Sequence, residues 1–133
     1  MGVERILSGP GLENIYLALA DLGGRELVPL SAAQITEKAV RLEAGCLEAL
    51  QLFCSILGAV AGDIALVHGA RGGVYIAGGI AQKIQGFLAQ SEFRARFESK
   101  GRLSSFVQAI PTQLILNADA ALLGAAHAAR MMA

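Results

Sequence analysis

Charge is scarce in this 133-residue chain and neither sign prevails, with 11 basic residues against 11 acidic ones and only 17% of residues charged. With that balance nothing points to nucleic acid or to an anionic membrane. Cysteine is limited to Cys46 and Cys54, about two helical turns apart in one apolar run. The spacing is too wide for a local zinc clip and no histidine adjoins it, so two buried, reduced thiols are expected. Histidine is limited to His68 and His127, far apart and without a carboxylate partner suggested by spacing, and both read as structural. The start, Met1-Gly2-Val3, lacks a basic region followed by an apolar stretch, so no secretory signal is expected and a cytoplasmic location is the default. The uncharged run between Glu48 and Asp63 falls short of the roughly 20 residues a bilayer demands. It also carries Gln51, Ser55, Gly58 and Gly62, and reads as a buried helix whose Gly-x-x-x-Gly spacing admits a second backbone.

What is abundant is apolar: 54% of residues, enough for one domain with a sizeable core. Val3 to Ser8 reads as a short helix or the end of one, broken at Gly9-Pro10-Gly11, after which Leu12, Ile15, Tyr16 and Leu19 mark a second helix ending at Asp21-Leu22-Gly23-Gly24. Ser31-Ala32-Ala33-Gln34 has the form of a capping box and opens a helix to about Val40. The longest helix is predicted from Glu43 to about Val67. Val74-Tyr75-Ile76 reads as a buried strand, Ile80 to Leu88 and Ser91 to Glu98 as helices, and Gly101 to Ile110 as irregular or briefly helical. Pro111 suits the start of a second strand, Thr112 to Leu116, and Asn117 to Asp119 cap a closing helix to about Met131. Strand, helix, strand, helix predicts a parallel α/β arrangement with a right-handed crossover. So small a sheet is incomplete on its own and calls for neighbouring sheet or a partner to cover its edge.

The stretch with most chemistry in it is Gly72-Gly73-Val74-Tyr75-Ile76-Ala77-Gly78-Gly79-Ile80, a strand that runs into two glycines and then a helix. Glycine removes the Cβ atoms that keep a ligand from the backbone, and a helix start offers free N–H groups, so a phosphate or nucleotide is the ligand class this pattern suits. A tight strand-to-helix connection with no ligand is the alternative.

Together with Glu4-Arg5-Ile6-Leu7-Ser8-Gly9-Pro10-Gly11-Leu12 near the start, this segment resembles the carboxy-terminal part of bacterial ATP-dependent glucokinases. The similarity continues through Leu52-Phe53-Cys54, Phe93-Arg94-Ala95-Arg96-Phe97-Glu98, Lys100-Gly101-Arg102 and Leu122-Leu123-Gly124-Ala125-Ala126, and so covers essentially the whole chain. The resemblance implies that residues 1–133 form a single partial domain, the later part of the large domain of an actin-like ATPase fold, α/β and helix-rich. It implies ATP and Mg2+ as cofactors acting with an amino-terminal part, glucose as co-substrate and a homodimer, with no nucleic-acid or membrane partner. Gly78 and Gly79 match the glycine turn that lies against the nucleotide, and Glu4 matches a glutamate that accepts hydrogen bonds from glucose hydroxyls. A carboxylate suits that task, since it accepts only; otherwise Glu4 is a solvated acid near a helix start.

The family's phosphate loop, catalytic aspartate and glutamate-histidine sugar loop have no counterpart here. Phosphoryl transfer needs a base and a means of offsetting phosphate charge, yet Asp21, Asp63 and Asp119 stand in no family catalytic motif, so no catalytic residue is expected. Arg71, just before the glycine segment, either meets a phosphate or is an exposed loop arginine. Two functions remain open on sequence: the nucleotide-side part of a glucokinase, inactive alone, or a helical assembly module that keeps the family's packing without its catalysis.

Overall fold

The first helix begins where the sequence predicts a break. A computed structural model describes residues 2–132, with a 3-10 turn at Val3–Arg5 followed by helix α1 at Gly9–Leu22. Gly9-Pro10-Gly11 is thus the first turn of α1 and not a gap between helices. Ser8 is the N-cap in extended backbone, its Oγ accepts from the Gly11 N–H at 3.1 Å, and Pro10 falls in the first turn, where no helical hydrogen bond is lost. Gly11 is required by space, because a Cβ there would lie 2.1 Å from the Ile6 carbonyl oxygen.

Helix α2, Ala32–Val40, opens on the predicted capping box: Ser31 Oγ accepts from the Gln34 N–H, and Gln34 Oε1 accepts from the Ser31 N–H at 2.9 Å. Glu13 in α1 reaches the same helix end, its Oε1 accepting from the Ala32 N–H at 2.9 Å. Helix α3, Ala44–His68, packs against both α1 and α2. Ala49, Leu50 and Cys54 on α3 are fully buried, as are Leu12 of α1 and Ile35 of α2.

Beyond α3 come strand β1 (Val74–Ile76), helices α4 (Gly79–Lys83), α5 (Gln85–Gln90) and α6 (Phe93–Glu98), and a 3-10 turn at Gly101–Leu103. Helix α7 (Ser104–Gln108), strand β2 (Thr112–Leu114) and helix α8 (Ala120–Met132) complete the chain. The strands pair in parallel, with Val74 opposite Thr112, Tyr75 opposite Gln113 and Ile76 opposite Leu114. Among the described residues they are the whole sheet, which is therefore incomplete in the predicted sense. The predicted helix from Ile80 to Leu88 is divided in two. Ile84 leaves helical backbone at φ −104°, ψ 20°, and its side chain is buried in the core at the bend. The second strand is also shorter than the predicted Thr112 to Leu116.

By length and composition α3 could cross a membrane, with 25 residues and a window of mean hydropathy 1.9. Its glycine face is covered by protein. A Cβ on Gly58 would lie 2.1 Å from the Phe93 carbonyl oxygen, and one on Gly62 would lie 2.4 Å from that of Phe97, so α6 crosses α3 at backbone distance. Lys100 seals the crossing, its Nζ donating to the Ala59 carbonyl at 2.7 Å and pairing with Asp63 at 2.6 Å. Both thiols are buried as expected, and burial pushes that of Cys54 up to about 11, partly opposed by a hydrogen bond with Ser91. Helix α8 differs from the rest: none of its residues is buried, and Leu122 and Leu123 are 71% and 58% exposed.

Gly58→Val should therefore lower the free energy of unfolding by about 3 kcal/mol, since a branched side chain would have to displace α6. Gly86→Ala in α5, where an added Cβ meets nothing within 4 Å, should be neutral or stabilise by up to about 1 kcal/mol. Urea titration of both variants checks this, and equal losses would contradict the close crossing.

Candidate functional site

The site is built at the carboxyl end of β1. The Val74 N–H donates to the Pro111 carbonyl at 2.9 Å and the Ile115 N–H to the Ile76 carbonyl at 2.8 Å, fixing β1 on β2. After Ile76 the chain turns at Gly78, whose φ of 120° and ψ of 151° belong to a region essentially closed to other residues. Neither Gly78 nor Gly79 would bring a Cβ within 4 Å of another atom, so both face open space. From α4, Gln82 Nε2 donates to the Ile115 carbonyl at 3.1 Å and ties the far side of the turn to the end of β2.

The helix after the turn is only five residues long. The expected contribution of a helix end to anion binding is correspondingly small, because few peptide dipoles are aligned. What the turn offers is exposed backbone free of side chains.

That backbone forms one wall of a cavity of about 540 Å³. Leu7, Ser8 and Gly9 at the start of α1 contribute a second wall, Ala32, Ala33 and Thr36 of α2 a third, and Phe53 and Leu57 of α3 the apolar floor. The two sequence motifs therefore meet in space, the Ser8-Gly9 end of the first against the Gly78-Gly79 end of the second. Among the described residues no carboxylate lines the cavity, and Lys83 is its one charged side chain.

Not every residue singled out in the sequence arrives there. Glu4 is exposed on the 3-10 turn, one short step upstream of Leu7, with its carboxylate close enough to Gly2 that a Cβ there would lie 3.1 Å from Oε1. It is outside the cavity walls. Arg71 lies with its guanidinium 5.5 Å from the centre of the Phe106 ring, in a separate hollow with Ala109 and Ile110, and does not line the cavity either. His68 and His127 are exposed at the end of α3 and on α8. Asp63 is engaged by Lys100, and the Asp119 N–H donates to Asn117 Oδ1 at 2.9 Å in the predicted cap. Among the described residues no group of three His, Cys, Asp or Glu side chains is placed to hold a metal ion.

Sequence reasoning missed Thr36 and Lys83. Thr36 is buried in α2 with its hydroxyl donating to the Ala33 carbonyl at 2.8 Å, and Lys83 ends α4. An apolar periodicity marks the core positions of a helix and is silent about polar neighbours such as these.

A protein-family model described as Glucokinase matches residues 1–132. The chain is 53% identical over 126 residues to a glucokinase of Caulobacter sp. (strain K31), covering 95% of this chain and 38% of that protein. It is 56% identical over 128 residues to a glucokinase of Caulobacter vibrioides (strain NA1000 / CB15N), covering 96% of this chain and 39% of that protein. A crystal structure of a glucokinase from an Antarctic psychrotroph superposes with a TM-score of 0.87 at 39% sequence identity, over 95% of this chain and 39% of that one. The chain thus spans about two-fifths of the length of these relatives.

The two turn glycines should respond differently to a side chain. Gly78→Val should destabilise by about 1–3 kcal/mol through backbone strain. Gly79→Val meets open space and ordinary backbone, and should unfold within about 0.5 kcal/mol of the unsubstituted chain. Thermal or urea unfolding distinguishes them, and a large loss for Gly79→Val would show that the turn is packed rather than open.

Proposed function

This chain belongs to the glucokinase family, and on that footing we propose that it is the carboxy-terminal, nucleotide-side part of an enzyme transferring the γ-phosphoryl group of ATP to the 6-hydroxyl of glucose. The observation that carries this reading is the cavity in which the exposed Gly78-Gly79 turn faces the Ser8-Gly9 start of α1. A polyanionic nucleotide is compatible with these walls for two reasons. Open backbone at Gly79 admits it sterically, and the absence of carboxylates from the lining spares it repulsion.

Glu4 serves the sugar. Its exposed carboxylate is an acceptor for hydroxyl donors, and its position just before the Leu7-Ser8-Gly9 wall is compatible with a sugar held beside the nucleotide rather than on top of it. Mg2+ accompanies ATP in this reading and offsets phosphate charge. The described residues supply no acidic cluster for it, so its protein ligands, like the base for the attacking hydroxyl, belong to the portion of the family's length that this chain does not span. A cytoplasmic site of action goes with the same proposal. The exposed apolar residues of α8 favour a second role in assembly, including a homodimer, alongside binding.

The 133-residue chain alone is expected to show no glucose-dependent ATP turnover in a coupled assay above a mock-purified control. Joined to the amino-terminal portion of the Caulobacter vibrioides relative, it should yield an active enzyme in which Glu4 and Gly79 are separable. Glu4→Gln replaces a charged acceptor by an amide that donates at one end. With a hydrogen bond to a charged group contributing roughly 1.5–3 kcal/mol and 1.4 kcal/mol equal to about tenfold, kcat/KM for glucose should fall about ten- to a hundredfold. The KM for ATP should stay unchanged. Gly79→Val should do the reverse, raising the KM for ATP and sparing glucose. Unaltered glucose kinetics in Glu4→Gln would assign Glu4 to structure alone.

A further inference from the structure

The large cavity does not end at Lys83. A second hollow of about 320 Å³ adjoins it along α2, and the two share Ala33, Thr36 and Lys83. The second hollow adds Glu37 and Arg41, but these are bonded to each other at 2.6 Å and neutralise one another. Val40 is its remaining wall. The joined surface therefore carries one uncompensated charge, the ammonium group of Lys83. Among the described residues Lys83 has no ion pair and no hydrogen bond from its side chain, and it is exposed.

Position makes that charge informative. Lys83 is the last residue of α4, one turn of helix beyond Gly79, and Gln82 beside it is fixed to the Ile115 carbonyl. A flexible four-carbon stem on an anchored helix can bring an ammonium group over whatever lies against the glycine turn. The rest of the large cavity presents apolar and small side chains with a single satisfied hydroxyl at Thr36. Such a surface suits the uncharged part of a nucleotide and leaves its charged part to one residue.

We infer that Lys83 is a specificity-determining residue that contacts the phosphates of the bound nucleotide, so that the site selects nucleoside di- and triphosphates over the uncharged nucleoside. The inference rests on the nucleotide reading of the glycine turn given above, and it adds which residue supplies the charge. Glu37 is prevented from opposing it by Arg41, and no other carboxylate lines either hollow.

Isothermal titration of the chimaera that joins this chain to the amino-terminal portion of the Caulobacter vibrioides relative with ATP, ADP, adenosine and glucose 6-phosphate tests it. Lys83→Met should weaken ATP and ADP about fivefold, the size of an exposed charge contact of about 1 kcal/mol, and leave adenosine and glucose 6-phosphate unaffected. The loss should shrink as salt is raised, because exposed charges are screened, and Lys83→Arg should restore most of the affinity. A merely structural Lys83 would change adenosine as much as ATP and would show no salt dependence. Equal loss for adenosine, loss confined to glucose 6-phosphate, or no loss at all would overturn the assignment. In each of those cases Gly79→Val, run in parallel, still reports on the turn. If Gly79→Val leaves ATP binding intact, or if the unsubstituted chimaera binds no nucleotide, the nucleotide reading falls and the role of Lys83 with it.

Discussion

The crossing of α6 over α3 at Gly58 and Gly62 is the contact from which the rest of the arrangement follows. Because neither glycine has a side chain, the carbonyls of Phe93 and Phe97 come down onto the α3 backbone, and Phe97 is fully buried beneath. Arg94 is carried to a fixed place by the same helix. Its guanidinium lies 4.8 Å from the Phe97 ring centre, pairs with Glu98, and donates to the carbonyls of Gln108 and Ile110 at 2.9 and 2.8 Å. Those carbonyls immediately precede β2, β2 holds β1, and β1 delivers the Gly78-Gly79 turn to the cavity. A close approach in the helical layer thus sets the position of the backbone that walls the cavity.

That dependence is needed because the sheet is weak by itself. Two strands of three residues each contribute few ladder hydrogen bonds, and an isolated pair of strands is marginal in water. Rigidity reaches the turn through polar tethers instead: Arg94 before β2 and Gln82 after the turn, each donating to main-chain carbonyls. The apolar groups of α3, α1 and α2 supply most of the burial, so the walls contributed by α2 and α3 belong to the well-packed layer while the glycine wall is held by specific bonds. Hydrogen bonds have directional requirements that apolar burial lacks, which suits an element that lines the cavity with backbone and not with side chains.

Much of this was legible in the residues, and the misses share a cause. The capping box at Ser31 and Gln34, the long helix, the glycine spacing in it and the existence of a strand before Gly78 are local patterns that were read correctly. That strand is not the buried one expected: Val74 and Ile76 are half-buried and Tyr75 is exposed, because only one face of so small a sheet is covered. The first turn of α1 was misread because Gly-Pro-Gly breaks helices when it falls inside them and starts them when a serine cap precedes it; only the Ile6 carbonyl over Gly11 distinguishes the cases. The division at Ile84 follows from tertiary burial of that side chain, which periodicity cannot reveal, since both halves keep helical spacing. At the site, glycines could be marked in advance because their chemistry is their lack of a side chain. Thr36 and Lys83 carry common side chains whose meaning comes from a cavity formed by distant segments.

Charge shows how a chain with no net charge can still present a local field. Five of the 11 cations and five of the 11 acids are committed to one another: Arg25 to Glu48, Lys38 to Glu43, Arg41 to Glu37, Arg94 to Glu98 and Lys100 to Asp63. Exposed pairs of this kind contribute at most about 1 kcal/mol each to stability, so their larger consequence is to remove those charges from competition. With Glu37 occupied and no carboxylate lining the cavity among the described residues, the ammonium of Lys83 is the one charge on the lining itself, while Glu13 stands behind the Ala32 wall with its carboxylate held by the Ala32 N–H. Overall neutrality is therefore compatible with a cavity lining that carries a single positive charge. The sign of the field at a site is decided by which nearby charges remain unpaired within about a Debye length, not by the total over the chain.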